Sequence, residues 1–258
     1  MSEIPDTHPR AESLKIRHLL VEGFEKNIVT TSGLIAHGRG EAFDYLIGEK
    51  TIEYAKKAIE AAVAQILIAK HPVLSINGNV AALVPDKIVE FSKITGAMIE
   101  INIFYRSEAR LKAISIALRQ AGAEKILGID PEYWTEIPEI SSWRRVVDKR
   151  GIFTADVVFV PLEDGDRTEA LRKLGKTVIA VDLNPLSRTS RFANITIVDN
   201  IVRVVPLMIS CARKLKNKDI NELKTIIDAF DNDKNLRLIL NYMIERLREL
   251  AANRFVLY

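Results

Sequence analysis

The 258 residues carry 37 basic and 34 acidic side chains, a formal charge of +3, on a composition that is 48% hydrophobic and 28% charged. That is an ordinary globular balance with no sign of a nucleic-acid-binding surface, although a local anion site would not show in the sum. A single cysteine, Cys211, excludes an internal disulfide and fits a reducing, cytoplasmic compartment.

The polar start MSEIPDTHPR lacks the apolar core of a signal peptide. The most apolar helical run, around residues 58–69, contains Glu60 and Gln65 and is too short to span a bilayer, so no membrane partner is expected. A first helix is predicted after His8-Pro9-Arg10, with Leu14, Ile16, Leu20, Val21 and Phe24 on its apolar face. Arg10, Lys15 and Arg17 fall on the opposite face, where charge is usually only solvated. Residues 30–51, TTSGLIAHGRGEAFDYLIGEKT, read as a glycine-rich, turn-like stretch. Gly33, Gly38 and Gly40 surround His37 and Arg39, which suits either an anion site or a turn with an exposed arginine. His37 alone is equally a structural histidine.

Thr51–Lys70 has a helical pattern rich in small residues, and His71-Pro72 stops it. Val73–Ile76 then reads as a buried strand that ends in Asn77-Gly78-Asn79, either a β-turn or a substrate contact at a strand's carboxyl end. A short helix (Asp86–Lys93), a strand (Met98–Phe104), a Ser107-capped helix (Glu108–Gln120) and a strand (Lys125–Ile129) follow. This βαβα rhythm predicts a parallel sheet covered by helices. Residues 131–150 hold both tryptophans and read as a connection without chemistry.

The central stretch reads as strand (Asp156–Val160), acidic loop (Glu163–Thr168), short helix, strand (Thr177–Val181), polar loop (Asp182–Thr189) and strand (Ile195–Val198). In open α/β sheets ligands bind where loops leave the carboxyl ends of strands, so these loops are the first candidates for a nucleotide site. Asp182 suits hydrogen bonds from a ribose or base, Asn184 both donates and accepts, and Arg188 and Thr189 suit phosphates. Asp199-Asn200 repeats the placement at the next strand end. Asp164 and Asp166 suit Mg²⁺, against the plainer reading of a solvated acidic loop. Val202–Leu215 reads as an apolar helix whose Cys211 is an inert thiol. Asp219–Asn253 gives two helices, the second apolar enough to pack on the core or form a subunit contact. No G-x-x-x-x-G-K-[ST], no G-x-G-x-x-G after the first strand and no zinc spacing is present, which removes support for a P-loop enzyme, a dehydrogenase and a zinc site. The expected fold is one α/β domain over residues 1–258. It is a Rossmann-like, open, mostly parallel sheet flanked by helices, with helical segments at about 8–26 and 219–253.

The blocks SGLIAHGRGEAFDYLIGEKT (32–51), SINGNVAALVP (75–85), VPLEDGDRTEALRKLGKTVIAVDLNPLSRT (160–189) and ITIVDN (195–200) closely resemble the archaeal 4-phosphopantoate–β-alanine ligases, or phosphopantothenate synthetases. The resemblance covers most of the chain and is weakest in 131–150 and beyond about 215. It implies a homodimeric enzyme that joins 4-phosphopantoate to β-alanine with ATP, and the chemistry of the phosphates adds Mg²⁺ bridging their oxygens as an expected cofactor. The products would be 4′-phosphopantothenate, AMP and pyrophosphate, a step toward coenzyme A. It places ATP contacts on Arg17, Arg39, Asp182-Leu183-Asn184, Arg188-Thr189 and Asn200-Ile201, all matching in type. The His-Ile-Gly-His motif of the bacterial pantoate–β-alanine ligases is absent.

The chemistry is coherent with those residues. A carboxylate is a poor electrophile and must first be activated as an acyl adenylate, with cations such as Arg17 and Arg39 at the reacting phosphates. His37 is then expected to contact phosphopantoate or to move a proton from the attacking amine, and Asn77, Gly78 and Asn79 to orient the acid. The rival readings are a non-catalytic nucleotide binder or sensor, and a kinase-like enzyme on a related phosphorylated acid.

Overall fold

The apolar runs predicted as strands are buried along almost their whole length, the pattern of a parallel sheet covered on both faces. The computed structural model describes Pro5, Thr7, His8 and residues 10–252. Pro9 and Asn253, assigned above to the terminal helical segments, lie outside the described residues. Three helices, α1 (Ala11–Glu25), α2 (Thr31–Ile47) and α3 (Glu53–Ile68), lead into β1 (Pro72–Ile76). Then come α4 (Gly78–Leu83), α5 (Pro85–Thr95), β2 (Met98–Ile101) and α6 (Glu108–Gln120). A small antiparallel hairpin, β3 (Trp134–Glu136) with β4 (Val146–Asp148), precedes β5 (Val157–Pro161). The chain continues through α7 (Gly165–Lys173), β6 (Thr177–Val181), α8 (Arg188–Phe192) and β7 (Ile195–Ile197). It closes with α9 (Ile201–Leu215), α10 (Ile220–Asp228) and α11 (Asn232–Ala252).

The main sheet is parallel throughout, in the order β2-β1-β5-β6-β7. Successive strand residues feed two different cores. Leu74, Phe159 and Ile179 point to the side of α3 and α9, while Val73, Val158 and Val178 point to the side of α7 and the hairpin. In α3, Ala55, Ala58, Ala61, Ala62 and Ala64 are all but fully buried, and their small size lets the helix pack closely on α9, α10 and β7. The strand order reverses direction between β1 and β5, which is the point where open α/β sheets leave a crevice. No helix among the described residues is long and apolar enough to cross a membrane.

Six local expectations are corrected. Residues 30–51 are largely helical: the Thr30 side chain accepts a hydrogen bond from Gly33 N at 3.2 Å, and Gly48 ends the helix in the left-handed region at φ 84°. Each interior glycine costs about 1 kcal/mol relative to alanine, so packing of one face of α2 overrides weak propensity. Asn77-Gly78-Asn79 opens α4 rather than forming a β-turn, with Asn77 Oδ1 accepting from Val80 N at 3.1 Å. β2 stops at Ile101, and Leu127 makes only an isolated bridge to Glu100 instead of a full strand over 125–129. Residues 131–150 contain the β3–β4 hairpin, and α8 occupies the end of what reads as a polar loop. The C-terminal helix does pack on the core through Leu236, Ile239 and Met243 while leaving Ile244 and Leu247 exposed. Burial pushes the Cys211 thiol up to about 11, which keeps it protonated and inert at neutral pH.

One buried carboxyl staples the edge of the sheet. Glu100 on β2 is fully buried, its Oε1 accepting from Asp148 N at 2.9 Å and its Oε2 from Ile152 N at 2.6 Å. Burial raises its pKa from 4.5 to about 7, against the pull of those two N–H groups. The folded state therefore holds the proton more tightly than the unfolded chain, and this contribution is lost as pH rises through about 7. The stability of the wild type minus that of Glu100→Gln is expected to fall by about 3 kcal/mol between pH 4.5 and pH 8, measured by urea unfolding. A pH-independent difference would contradict the assignment.

Candidate active site

Because the strands are parallel, all their carboxyl ends reach one edge, and polar residues collect there. Asn77 follows β1, Glu163 follows β5, Asp182 follows β6, and Asp199 and Asn200 follow β7. Helix α2 lies across this edge. Asn79 Nδ2 donates to the Gly33 carbonyl at 2.9 Å, a methyl group on Gly40 would sit 3.5 Å from Leu183 Cδ1, and Asn200 Nδ2 donates to Asp44 Oδ2 at 3.1 Å. Positions 33, 37, 40, 41 and 44 form one stripe at helical spacing. His37 and Glu41 thus lie on the same stripe as the residues that touch the β1, β6 and β7 ends. The expected loop is a helix that brings His37 to the strand ends, while Arg39, off this stripe and exposed, lies near enough for its charge to act on Asp182.

The loop after β6 is built by Asp182. Its Oδ1 accepts from Asn184 N at 2.9 Å and its Oδ2 from Ser187 Oγ at 2.5 Å, the self-capping turn that aspartate favours. Burial raises its pKa, while the Ser187 and Asn184 hydrogen bonds and the charge of Arg39 pull the other way. Arg39 itself is exposed and makes no hydrogen bond or ion pair with any other described residue. Thr189 Oγ1 donates to the Glu163 carbonyl at 2.8 Å and so ties this loop to the end of β5. Arg188 is ion-paired with Asp166, and with Glu169 at 2.9 Å. A cavity of about 470 Å³, lined by Leu186, Phe192, Leu236 and Leu240 among others, lies between this loop and α11. None of the Asp182, Arg39 or His37 side chains lines it.

The end of β7 is a closed network. Asp199 is fully buried and accepts from Thr51 Oγ1 at 2.5 Å, Arg203 Nε at 2.8 Å and Asn200 N at 2.7 Å. Arg203 also pairs with Asp44 at 2.5 Å. Asn200 caps α9 through Val202 N at 3.3 Å and is held by Asp44 on its other side, with Ile201 buried behind it. Asp44, Thr51 and Arg203 escaped the sequence reading. Asp44 would have stood out once 30–51 was taken as a helix, lying seven residues beyond His37.

Arg17, on α1, reaches α2 through a forked ion pair with Glu41, its Nη2 at 2.9 Å from both carboxylate oxygens. Burial lowers the pKa of the half-buried His37, with Glu41 opposing and Arg17 assisting, so the imidazole is neutral at pH 7. Asn77 Nδ2 donates to the Pro161 and Leu162 carbonyls at 2.9 and 3.1 Å, locking the β1 end to the β5 end. Leu162 there holds φ 54°, an unusual conformation for a bulky residue. Gly78 admits the Ile28 carbonyl so closely that any side chain would overlap it. The acidic loop is committed to structure: Asp164 caps α7 through Arg167 N at 3.1 Å and neighbours Arg144 at 3.3 Å, while Asp166 pairs with Arg188. No group of three His, Cys, Asp or Glu side chains that could hold a metal ion occurs among the described residues.

The edge therefore gathers self-capped turns, an exposed arginine without a hydrogen-bond partner among the described residues, a neutral imidazole and carboxylates held by fixed partners. Polar strand ends of this kind are where open α/β sheets take ligands. Residues 54–246 match the family model described as phosphopantothenate/pantothenate synthetase. A 4-phosphopantoate–β-alanine ligase of Thermococcus kodakarensis is 54% identical over 97% of this chain and 96% of its own length. Those of Methanosarcina mazei and Methanospirillum hungatei are 49% and 43% identical, over 98% and 95% of this chain and 98% of their own lengths. The chain belongs to the phosphopantothenate/pantothenate synthetase family.

Proposed function

We propose that this chain is an ATP-dependent, AMP-forming acid–amino acid ligase that condenses 4-phosphopantoate with β-alanine to give 4′-phosphopantothenate for coenzyme A synthesis. The observation that carries this reading is end-to-end identity of 43–54% with relatives named for that reaction. The carboxylate oxygen of the acid attacks the α-phosphorus, the bond to the β,γ-diphosphate breaks, and an acyl adenylate forms. The amine nitrogen of β-alanine then attacks the acyl carbon, the C–O bond to AMP breaks, and one proton leaves the nitrogen.

In this reading Asp182, Leu183, Asn184, Arg188, Thr189, Asn200 and Ile201 hold the nucleotide at the β6 and β7 ends. Arg39 and Arg17 neutralise charge building on its phosphates. Arg39 is the more available of the two, because Arg17 must share its fork with Glu41. Neutral His37 takes the proton from the amine, a role its lowered pKa supports. His37→Ala is expected to lower kcat by about 10²-fold or more, and a loss of only a few-fold would remove that role. Asn77, Gly78 and Asn79 orient the acid at the β1 end. Mg²⁺ accompanies the nucleotide's phosphates, since Asp164 and Asp166 already have partners. The working form in this reading is a cytoplasmic homodimer, supported by the apolar Ile244 and Leu247 exposed on α11.

Incubation with ATP, β-alanine and 4-phosphopantoate tests the reading. Equimolar AMP and pyrophosphate support it; ADP would indicate a kinase-like route, and no turnover a nucleotide binder.

A further inference from the structure

Three arginines are buried on the β1 side of the strand ends, apart from the residues assigned to ATP. Arg110 on α6, Arg144 just before β4 and Arg167 on α7 are 8%, 7% and 0% exposed. A buried guanidinium is unfavourable unless paired and fully hydrogen-bonded. Among the described residues the buried carboxylate that pairs with them is Glu163, which accepts from Arg144 Nη1 at 2.5 Å and from Arg167 Nη1, while Glu100, also buried and felt by Arg167, accepts from backbone N–H groups with both oxygens. Asp164 stands at the rim, more than a third exposed, 3.3 Å from Arg144 Nε and without hydrogen-bond alignment. Neither Glu163 nor Asp164 pairs with Arg110, so one of the three guanidiniums has no carboxylate partner among the described residues.

The donors are also not all used. Arg110 gives Nη1 to the Tyr105 carbonyl at 2.6 Å and Nη2 to the Ile28 carbonyl at 2.9 Å, and Arg167 gives Nη1 to Ser75 Oγ at 3.0 Å. The Nε groups of all three arginines and Nη2 of Arg167 are buried with no hydrogen-bond partner. Burial and mutual repulsion pull the Arg110 and Arg144 pKa values down, the direction expected of crowded cations lacking an anion. The cluster surrounds the place where strand order reverses, between Ser75 and Gly78 of the β1 end and Glu163 of the β5 end. That is where open α/β sheets take ligands, and guanidinium forks match phosphate geometry.

We propose that Arg144, with Arg110 and Arg167, binds the phosphate of the acid substrate and thereby sets the preference for the phosphorylated over the unphosphorylated acid. The proposal rests on the ligase reading above. A phosphomonoester dianion supplies the missing negative charge and acceptors, and takes the place that Asp164 holds loosely beside Arg144. The β5 and β6 ends lie one to two strand spacings from β1, roughly 5–10 Å. An acid anchored by its phosphate at the arginines can therefore present its carboxylate toward the Asp182 loop, where the nucleotide would lie.

The test compares wild type, Arg144→Gln and Arg144→Lys with 4-phosphopantoate and with unphosphorylated pantoate. Arg144→Gln should raise KM for 4-phosphopantoate by about 10²-fold, as expected when one partner of a buried charge contact is cut back. KM for ATP and for β-alanine should stay within about threefold, and Arg144→Lys should lose less because it keeps the charge. A merely structural role would move all three KM values together. Thermal unfolding without ATP supplies the second readout. 4-Phosphopantoate, and more weakly inorganic phosphate, should raise the Tm of the wild type while pantoate does not, and Arg144→Gln should abolish the rise. If wild type shows this protection but no ligase turnover, the ligase reading fails and the anion subsite stands. If it turns over with an unchanged KM in Arg144→Gln, or shows no difference in protection between the two acids, the subsite is overturned. Should Arg144→Gln not fold, Arg144→Lys and the wild-type comparison of the two acids decide.

Discussion

Arg39→Ala is expected to lower kcat/KM for ATP by about 10²-fold or more, the scale of a single charge-stabilising donor. Its unfolding free energy should stay within about 0.5 kcal/mol of the parent, as for exposed side chains without structural partners. Both halves come from one arrangement. The guanidinium is exposed and uncommitted among the described residues, so the folded protein loses no contact with it, yet its charge is felt at Asp182. Arg39→Lys should recover part of the rate, since charge is kept but the planar fork is not. Arg17→Ala is a less clean experiment because it frees Glu41, whose carboxylate would then face the same phosphates unpaired. A loss of only a few-fold for Arg39→Ala would move the phosphates away from α2.

Asp44→Ala should damage the fold as well as the site. The carboxylate is buried and bridges Arg203 and Asn200, so its removal leaves a largely buried guanidinium with Asp199 and, 4.0 Å away, the exposed Glu12, and an amide without an acceptor. A loss of about 3 kcal/mol is expected, the low end for breaking one side of a buried ion pair because Asp199 remains. For a domain of this size that corresponds to a fall in Tm of roughly 6–12 °C. Affinity for ATP should drop in the variant even at temperatures where it is fully folded, because Asn200 loses the bond that orients it. Asp44→Asn keeps the shape and should lose less on both counts. Urea unfolding and nucleotide titration at low temperature separate the two effects.

The parallel sheet was legible because β1, β5 and β6 are short, almost wholly apolar runs ended by polar turns, and such runs need cover on both faces. Asp182 and Asn184 were legible for the same reason, each being a turn residue just after a strand. Helix α2 was not, because Gly33, Gly38 and Gly40 lower its propensity below what local reading accepts, and only packing over the strand ends restores it. The network at β7 was hidden by distance along the chain, since Thr51 meets Asp199 and Asp44 meets Arg203 across more than a hundred residues. The buried arginines were hidden differently. Arg144 lies where the family resemblance is weakest, and a lone arginine in sequence looks solvated until neighbouring elements enclose it. In the acidic loop, read as solvated or suited to Mg²⁺, Asp164 caps a helix and Asp166 pairs with Arg188, partners that sequence neighbours alone do not reveal.

The claim at the centre of this account is that the acid is activated on the α-phosphate of ATP at the carboxyl ends of the strands. It is tested most directly with 4-phosphopantoate carrying heavy oxygen in its carboxylate, turned over with ATP and β-alanine, followed by mass analysis of the nucleotide product. Acyl-adenylate chemistry predicts AMP that has gained one labelled oxygen atom per amide bond formed, with pyrophosphate unlabelled. Label in inorganic phosphate released with ADP, or AMP formed without label, would contradict it.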